Sequence, residues 1–313
     1  MTVISMFSGA GGLDLGLIRA GHQVVWANDI DADCVETYRR NIGEHIELGD
    51  VSAVDTPEVP DADALVGGWP CQGFSLANLR RHVGDERNRL YQEFRRFLAA
   101  KRPRYFLAEN VKGILSLGGG QVVGRIVSDL QALGYRVEYR LCNVADYGVP
   151  QTRERVIFAG TRSDLAQKYR FSFPEPTHSE QGSAGLKRWV SIRDALRDIP
   201  EPCPDSKLPN HVGSKYKLNG RNFTGHRFVD PDKPSPTLLA RGNGKGGVCA
   251  GAHWSNARRM TVRESATIQT FPLDFEFIGS LGSCYRQVGN AVPVLFAEHL
   301  GKALARCEEL CAL

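Results

Sequence analysis

Pro70-Cys71-Gln72 is the segment richest in chemistry. It stands in Val66-Gly67-Gly68-Trp69-Pro70-Cys71-Gln72-Gly73-Phe74-Ser75, directly after the apolar run Ala64-Leu65-Val66. That run has the character of a short buried strand, and two glycines and a proline end it abruptly. Open α/β sheets bind ligands beyond the carboxyl ends of their strands. A cysteine is reactive only as thiolate, which forms in a polar, accessible pocket. A lone cysteine is more often a small buried hydrophobe, but the company of Cys71 argues for a nucleophile. Glu109-Asn110-Val111 ends a later apolar run, one strand–helix unit on. If the two strands are neighbours, Glu109 lies beside the thiol and can act as a proton donor. Gln151-Thr152-Arg153-Glu154-Arg155 adds guanidinium groups that can orient Glu109 or hold a base carbonyl.

A second constellation precedes these. Phe7-Ser8-Gly9-Ala10-Gly11-Gly12-Leu13-Asp14-Leu15-Gly16 follows the first apolar run and opens a helical pattern. Its glycines let backbone approach a ligand closely. Asn28-Asp29 ends the second run, where an acid suits a ribose diol. Gly49-Asp50 ends the third, where a carboxylate can accept from an adenine amino group. Each acid could instead cap a helix. Three successive strand ends offering glycines and acids favour a nucleoside-bearing cofactor. The spacing Gly-x-Gly-x-x-Gly is missing, which counts against a nicotinamide-dependent oxidoreductase.

The elements that must hold these residues follow from periodicity. Seven short apolar segments near residues 3–7, 24–27, 45–48, 64–66, 105–108, 135–144 and 156–159 read as strands. Helical stretches such as 31–41, 90–101 and 122–133 separate them. Such alternation implies an α/β, doubly wound, mostly parallel seven-stranded sheet. The pattern then changes, with nine of the sixteen prolines between Pro174 and Pro236. A stretch of that kind, carrying Trp189, Tyr216, Phe223, Arg221, His226 and Arg227, reads as a loop-built binding domain. Val292, Leu295, Phe296, Leu300, Ala303 and Leu304 share one helical face, expected to pack on the first domain. The expected division is 1–172 with 285–313 as the catalytic, cofactor-binding domain, and 173–284 as a second, smaller domain.

Composition bounds the class. The chain has 313 residues, 42% hydrophobic and 24% charged, with net charge +4. These are values of a globular protein. Residues 176–260 hold 14 Lys and Arg against 7 Asp and Glu, so a basic segment sits beside a slightly acidic remainder, as for a protein that binds a polyanion on one face. Eight scattered cysteines without a Cys-x-x-Cys pair imply neither a metal site nor a disulfide framework. No signal segment or membrane-length apolar run is evident, so a cytoplasmic location is expected.

Taken in order, these motifs resemble those of the bacterial-type DNA cytosine-5 methyltransferases nearly end to end. Phe7–Gly12 is similar to the family's S-adenosylmethionine loop, Pro70-Cys71-Gln72 to its nucleophile motif, and Glu109-Asn110-Val111 with Gln151–Arg155 to its base-holding motifs. Arg263-Glu264 with Gln269-x-Phe271-Pro272, and Gln287-Val288-Gly289-Asn290-Ala291-Val292-Pro293, resemble its two last motifs. Trp69 and Asp29 are mild departures, standing where relatives often carry Phe or Pro, and Glu. The resemblance implies the S-adenosylmethionine-dependent methyltransferase fold with a target-recognition region, duplex DNA as partner and methylation of a flipped-out cytosine through Cys71. It implies Cys71, Glu109, Arg153 and Arg155 as catalytic. It implies a cofactor held by Phe7, Gly9, Ala10, Gly11, Gly12, Asn28, Asp29, Ile30, Asp50, Val51, Pro70, Leu90, Asn290 and Ala291. Residues 72–89 should form a loop over DNA, with Gln72, Ser75, Arg80, Arg81 and Asn110 facing it. Thr237 matches a family position beside the flipped nucleotide, and Arg221, Arg227, Arg241 and Lys245 are candidates for base or phosphate contacts. A separate companion restriction endonuclease and a monomeric state accompany this reading. An RNA methyltransferase and a silent DNA-binding paralogue are the readings it competes with.

Overall fold

The computed structural model describes residues 1–69, 89–166, 168–183, 185–213, 218, 220, 227–240 and 251–311. In chain order the first half runs β1 (Thr2–Met6), α1 (Gly12–Arg19), β2 (Gln23–Asp29), α2 (Ala32–Asn41), β3 (Ile46–Leu48), β4 (Ala64–Gly67), α3 (Arg89–Lys101), β5 (Tyr105–Val111), α4 (Gln121–Ala132) and β6 (Tyr135–Asn143). There follow β7 (Gln151–Thr152), β8 (Glu154–Arg162), β9 (His178–Ser179), β10 (Lys187–Arg188), α5 (Ile192–Leu196), β11 (Ser235–Pro236), α6 (Val262–Ile268), α7 (Leu281–Asn290) and α8 (Val294–Cys311).

All seven expected strands join one sheet, ordered β3-β2-β1-β4-β5-β8-β6. Strands β1 to β5 pair in parallel, whereas β8 runs antiparallel to both β5 and β6. Side chains alternate between faces along a strand, and the apolar ones divide accordingly. Val3, Ala64, Val66, Tyr105, Leu107, Ile157 and Ala159 pack with Leu13 and Leu17 of α1, Val35 of α2 and Phe296 of α8. Ile4, Leu65, Phe106, Val156 and Phe158 pack on the other face with Phe94 and Phe97 of α3 and Ile126 and Leu130 of α4. Burial of both faces explains why these strands read as continuous apolar runs.

The proline-rich stretch contributes only two-residue strands and the short α5 among the described residues. Ile192, Leu196 and Leu238 share a third cluster with Ala10, Met260, Phe271, Tyr285 and Val294. Residues 276–278 are tied to α2, where Asn41 Oδ1 accepts from Glu276 N at 2.8 Å and Thr37 Oγ1 from Ile278 N at 2.8 Å. The described part of 173–284 therefore shares its apolar packing with the first half. The last helix packs on α1: a Cβ on Gly16 would come within 2.4 Å of the Ala297 Cβ. No described helix is long and apolar enough to cross a membrane.

Candidate active site

Register places the chemistry in one line. Met6 pairs with Asn28 on one side and with Gly67 on the other, and Gly67 pairs with Ala108. The next residue of each chain is Phe7, Asp29, Gly68 and Glu109. These four form a transverse row at the carboxyl edge of the sheet, about 14 Å across at the usual strand spacing. The row straddles β1 and β4, where the strand order reverses, the position at which doubly wound sheets hold ligands.

One end of the row is a loop held from below. Asp29 Oδ2 accepts from Gly9 N at 2.7 Å and Oδ1 from Asp31 N at 2.9 Å. Burial raises the Asp29 carboxyl above its ordinary range, against those backbone bonds. The glycines do different jobs. Gly9 has φ +55° and open space where a Cβ would stand, so ligand can approach its backbone. Gly11 has φ +82° and would drive a Cβ to 2.2 Å from Ile42 Cδ1, while a Cβ on Gly12 would lie 2.4 Å from Val292 O. Those two let the loop pack on α2 and on the chain after α7. Phe7 itself has φ +57°. Ile30, next to Asp29, is 71% exposed, an apolar surface unusual beside a carboxylate. Asp50 caps the turn at Val51–Ala53 through Ser52 N at 2.9 Å, and Arg89 Nη2 lies 3.3 Å from its other oxygen. The Ser52 bonds, with Arg89, hold its carboxyl below the usual range. Asn28 donates to Glu47 O and Gly49 O and so braces β2 against the turn after β3. Ala10 and Val51 are buried, Leu90 is half-buried on α3, and Asn290 is exposed at the end of α7. Ala291 closes over Gly12. An open backbone face, two acceptor carboxylates and an exposed aliphatic side chain fit a nucleoside.

The other end of the row carries Glu109. Its Oε1 lies 2.7 Å from Arg155 Nε, with both side chains largely buried. The approach lacks hydrogen-bond alignment, so Oε1 has no bonded partner among the described residues. Oε2 lies against Gly68, 3.2 Å from where a Cβ would stand. Asn110 donates to Trp69 O at 3.1 Å, and the Trp69 ring packs 5.1 Å from Tyr91 and 5.2 Å from Phe94. Asn110 was expected to face nucleic acid; it is 2% exposed, and its amide works inside the protein, fixing the end of β4. Arg153 was expected to orient Glu109 or to hold a base carbonyl. Its Nη1 donates to Leu238 O at 3.2 Å and Gly289 O at 3.0 Å. Burial pulls its guanidinium down to about 9, with Arg155 adding to the shift and the Glu109 carboxylate opposing it. It joins β7 and β8 to two distant segments.

Beside Arg153 runs a buried relay that the sequence did not announce. Thr237 Oγ1 donates to Thr152 O at 2.7 Å, and Leu238 N donates to Gln151 Oε1 at 2.9 Å. Gln151 Nε2 donates to Gln269 Oε1 at 2.8 Å. Gln269 Nε2 donates in turn to Val288 O at 2.7 Å and Ala291 O at 3.1 Å. The segment of Thr237 is thereby bonded to the end of α7, and Gly289 has no side chain because Ala240 N would lie 2.6 Å from its Cβ.

Residues 1–306 match the family of C-5 cytosine-specific DNA methylases. The chain belongs to that family. Among its relatives, type II methyltransferase M.NgoFVII of Neisseria gonorrhoeae is 38% identical over 96% of this chain and 86% of its own length. M.BspRI of Lysinibacillus sphaericus is 36% identical over 97% and 81%. A solved prophage-encoded E. coli protein, assigned as a DNA modification methyltransferase, superposes with TM-score 0.75 at 26% identity, covering 99% of both chains. The S. pombe Dnmt2 methyltransferase superposes with TM-score 0.70 at 21% identity, covering 98% of each chain, and shares the fold.

The methylase's remaining expected contacts are distributed unevenly. Pro70, Cys71, Gln72, Ser75, Arg80, Arg81, Arg221, Arg241 and Lys245 lie outside the described residues. Arg227 is exposed. Thr237 is half-buried, with its hydroxyl on Thr152 O.

Proposed function

We propose that this methylase transfers a methyl group to C5 of a flipped-out cytosine in a short duplex DNA site, through a covalent bond between Cys71 and C6. The observation that carries the reading is the row Asp29–Phe7–Gly68–Glu109, which aligns a nucleoside-binding half with a carboxyl–guanidinium half. Trp69 is fixed by Asn110 and its ring contacts. Only Pro70 stands between Trp69 and Cys71 in the chain.

Cytosine C5 is too weak a nucleophile to take a methyl group unaided. Addition of the Cys71 thiolate to C6 makes C5 electron-rich, and Glu109, turned toward Gly68, supplies a proton to N3 as the bond forms. Arg155 holds Glu109 in place. S-adenosylmethionine, when bound, supplies the methyl group that C5 accepts. Removal of the C5 proton by a base then expels Cys71 as thiolate, N3 returns its proton to Glu109, and the ring is restored. Gly9, Asp29, Ile30 and Asp50 are the residues to hold the nucleoside, with Phe7 beside the reacting end. C6 is out of reach within a duplex, so the base must leave the stack at a cost of a few kcal/mol. Thr237, Arg221, Arg227, Arg241 and Lys245 are the residues to meet the DNA in this reading. A type II methyltransferase of this kind is expected to accompany a separate endonuclease and to act as a monomer.

The test is methyl transfer from labelled S-adenosylmethionine to DNA of diverse sequence, with Cys71→Ser alongside and tRNA in parallel, followed by base-resolution mapping. Label at cytosine C5 in one short recurring site, lost in the variant while cofactor binding is kept, is the expected result. Near-normal turnover by Cys71→Ser overturns the covalent route, and label on tRNA alone overturns the substrate.

A further inference from the structure

A chain of polar groups lies under the glycine-rich loop and takes no part in the chemistry above. Asp14, in the first turn of α1, is completely buried. Ser5 Oγ donates to its Oδ1 at 2.6 Å, and Tyr38 Oη lies 2.9 Å from its Oδ2. Ser8, in the loop itself, donates to Ser5 Oγ at 2.9 Å. Tyr38 Oη is also 3.0 Å from His45 Nε2. Asp14 is thus two hydrogen bonds from the loop on one side and two from a half-buried histidine on the other.

The groups that set its ionisation besides burial are Ser5, Ser8 and Tyr38, none of them a cation. Around it, Arg39 on α2 turns to Glu36 and Glu44, and Glu298 on α8 pairs with Lys302. Arg19 stands five residues on, in the last turn of α1, and Asp29 holds Gly9. A buried carboxylate without a paired cation is costly. It becomes less so when a positive charge binds nearby, and by linkage its ionisation favours that binding.

We infer that Asp14 makes the loop discriminate between a cationic cofactor and its neutral product. The inference rests on the cofactor assignment above. S-adenosylmethionine carries a permanent sulfonium charge, and S-adenosylhomocysteine, with the methyl gone, does not; the two share every other group. Asp29 and Asp50 meet what the two share, so their contribution to affinity largely cancels in a comparison. Asp14 acts through the loop as a positioning charge.

The polar chain has two self-consistent arrangements. When Asp14 is ionised, Ser5 and Tyr38 both donate to it, and the single Tyr38 proton being spent, His45 must offer Nε2–H to Tyr38. When Asp14 is neutral it donates to Tyr38, which donates to an unprotonated Nε2. The tautomer of His45 therefore reports the charge on Asp14.

The experiment is equilibrium binding of S-adenosylmethionine and S-adenosylhomocysteine to the full chain from about pH 5 to about pH 7.5. The preference for the cation should rise roughly fivefold, an order of magnitude set by a partly buried charge pair, with its midpoint near 6. Asp14→Asn, which keeps the neutral pattern of bonds, should hold the preference flat at its low-pH value, while His45→Gln should keep the rise. In ¹⁵N spectra the His45 tautomer should switch over the same range. Tyr38→Phe, lacking one donor to the carboxylate, should move the midpoint upward, which tests the idea should Asp14→Asn fail to fold. A flat preference in the wild type, a rise that survives Asp14→Asn, or an unmoved midpoint in Tyr38→Phe overturns the inference and leaves the cofactor assignment standing. Binding of neither ligand at any pH overturns both.

Discussion

Replacing Gln269 with leucine tests whether the buried relay holds the two halves of the site together. The side chain is fully buried and makes three hydrogen bonds, one accepted from Gln151 and two donated to Val288 O and Ala291 O. Leucine fills a similar volume, so little cavity arises, but three buried polar atoms lose a partner. Each orphan costs about 1–3 kcal/mol, and partial relaxation places the sum near 4 kcal/mol, a large share of the roughly 5–15 kcal/mol typical of a domain. Gln151→Leu strands Gln269 Oε1 and Leu238 N, for about 3 kcal/mol by the same reasoning. Because both single variants lose the one Gln–Gln bond, the double variant should cost less than their sum by about 1–2 kcal/mol. Urea unfolding is the assay, read as a lowered midpoint at unchanged slope. Single effects below about 1 kcal/mol, or strict additivity, would refute the relay as a structural tie.

Three further outcomes follow from the geometry. Gly12→Ala should destabilise by about 2 kcal/mol, since its Cβ meets the Val292 carbonyl, whereas Gly9→Ala, with open space but positive φ, should cost about 1 kcal/mol and chiefly weaken cofactor binding; thermal unfolding and calorimetric titration separate the two. Asp29→Ala releases Gly9 N and should raise the cofactor dissociation constant at least about tenfold, with an unchanged affinity contradicting the assignment. Asp14 has a native pKa raised from 3.8 to about 6, so between those values the unfolded chain releases its proton first and stability falls as pH rises. Relative to wild type, Asp14→Asn should therefore gain up to about 3 kcal/mol between pH 4 and pH 7, as parallel urea titrations would show; a difference independent of pH would contradict the raised pKa.

The strands and their order of chemistry were legible because burial of both sheet faces leaves an unbroken apolar signature, and because strand ends carry the polar residues. Cys71, Glu109, Asp29 and Asp50 were singled out by position alone, and register brings Asp29 and Glu109 into one row. The partners of buried polar groups were not legible. Asn28, Asn110 and Arg153 have the residue types of ligand contacts, yet they bond carbonyls remote in sequence, a choice made by packing. Gly11 and Gly12 likewise resemble Gly9 in a string of letters but face Ile42 and Val292. Asp14 left a faint trace: with Ala10, Leu13 and Leu17 it completes an i, i+3, i+4, i+7 stripe, and an acid on such a stripe must be satisfied inside.

The contact between α1 and α8 has a consequence for synthesis. The glycine-rich loop is bedded on Val292 and Ala291, and Gly16 on Ala297, partners some 280 residues later in the chain. A ribosome adding roughly 5–20 residues per second exposes the first strand and helix for many seconds before their cover emerges. During that interval the apolar stripe of α1 is open to chaperones and to wrong partners, and the loop is not yet bedded in its folded position. Cofactor affinity should therefore be acquired late, as a step at the end of translation, and the long-range closure should make refolding slow for a chain so rich in local helices.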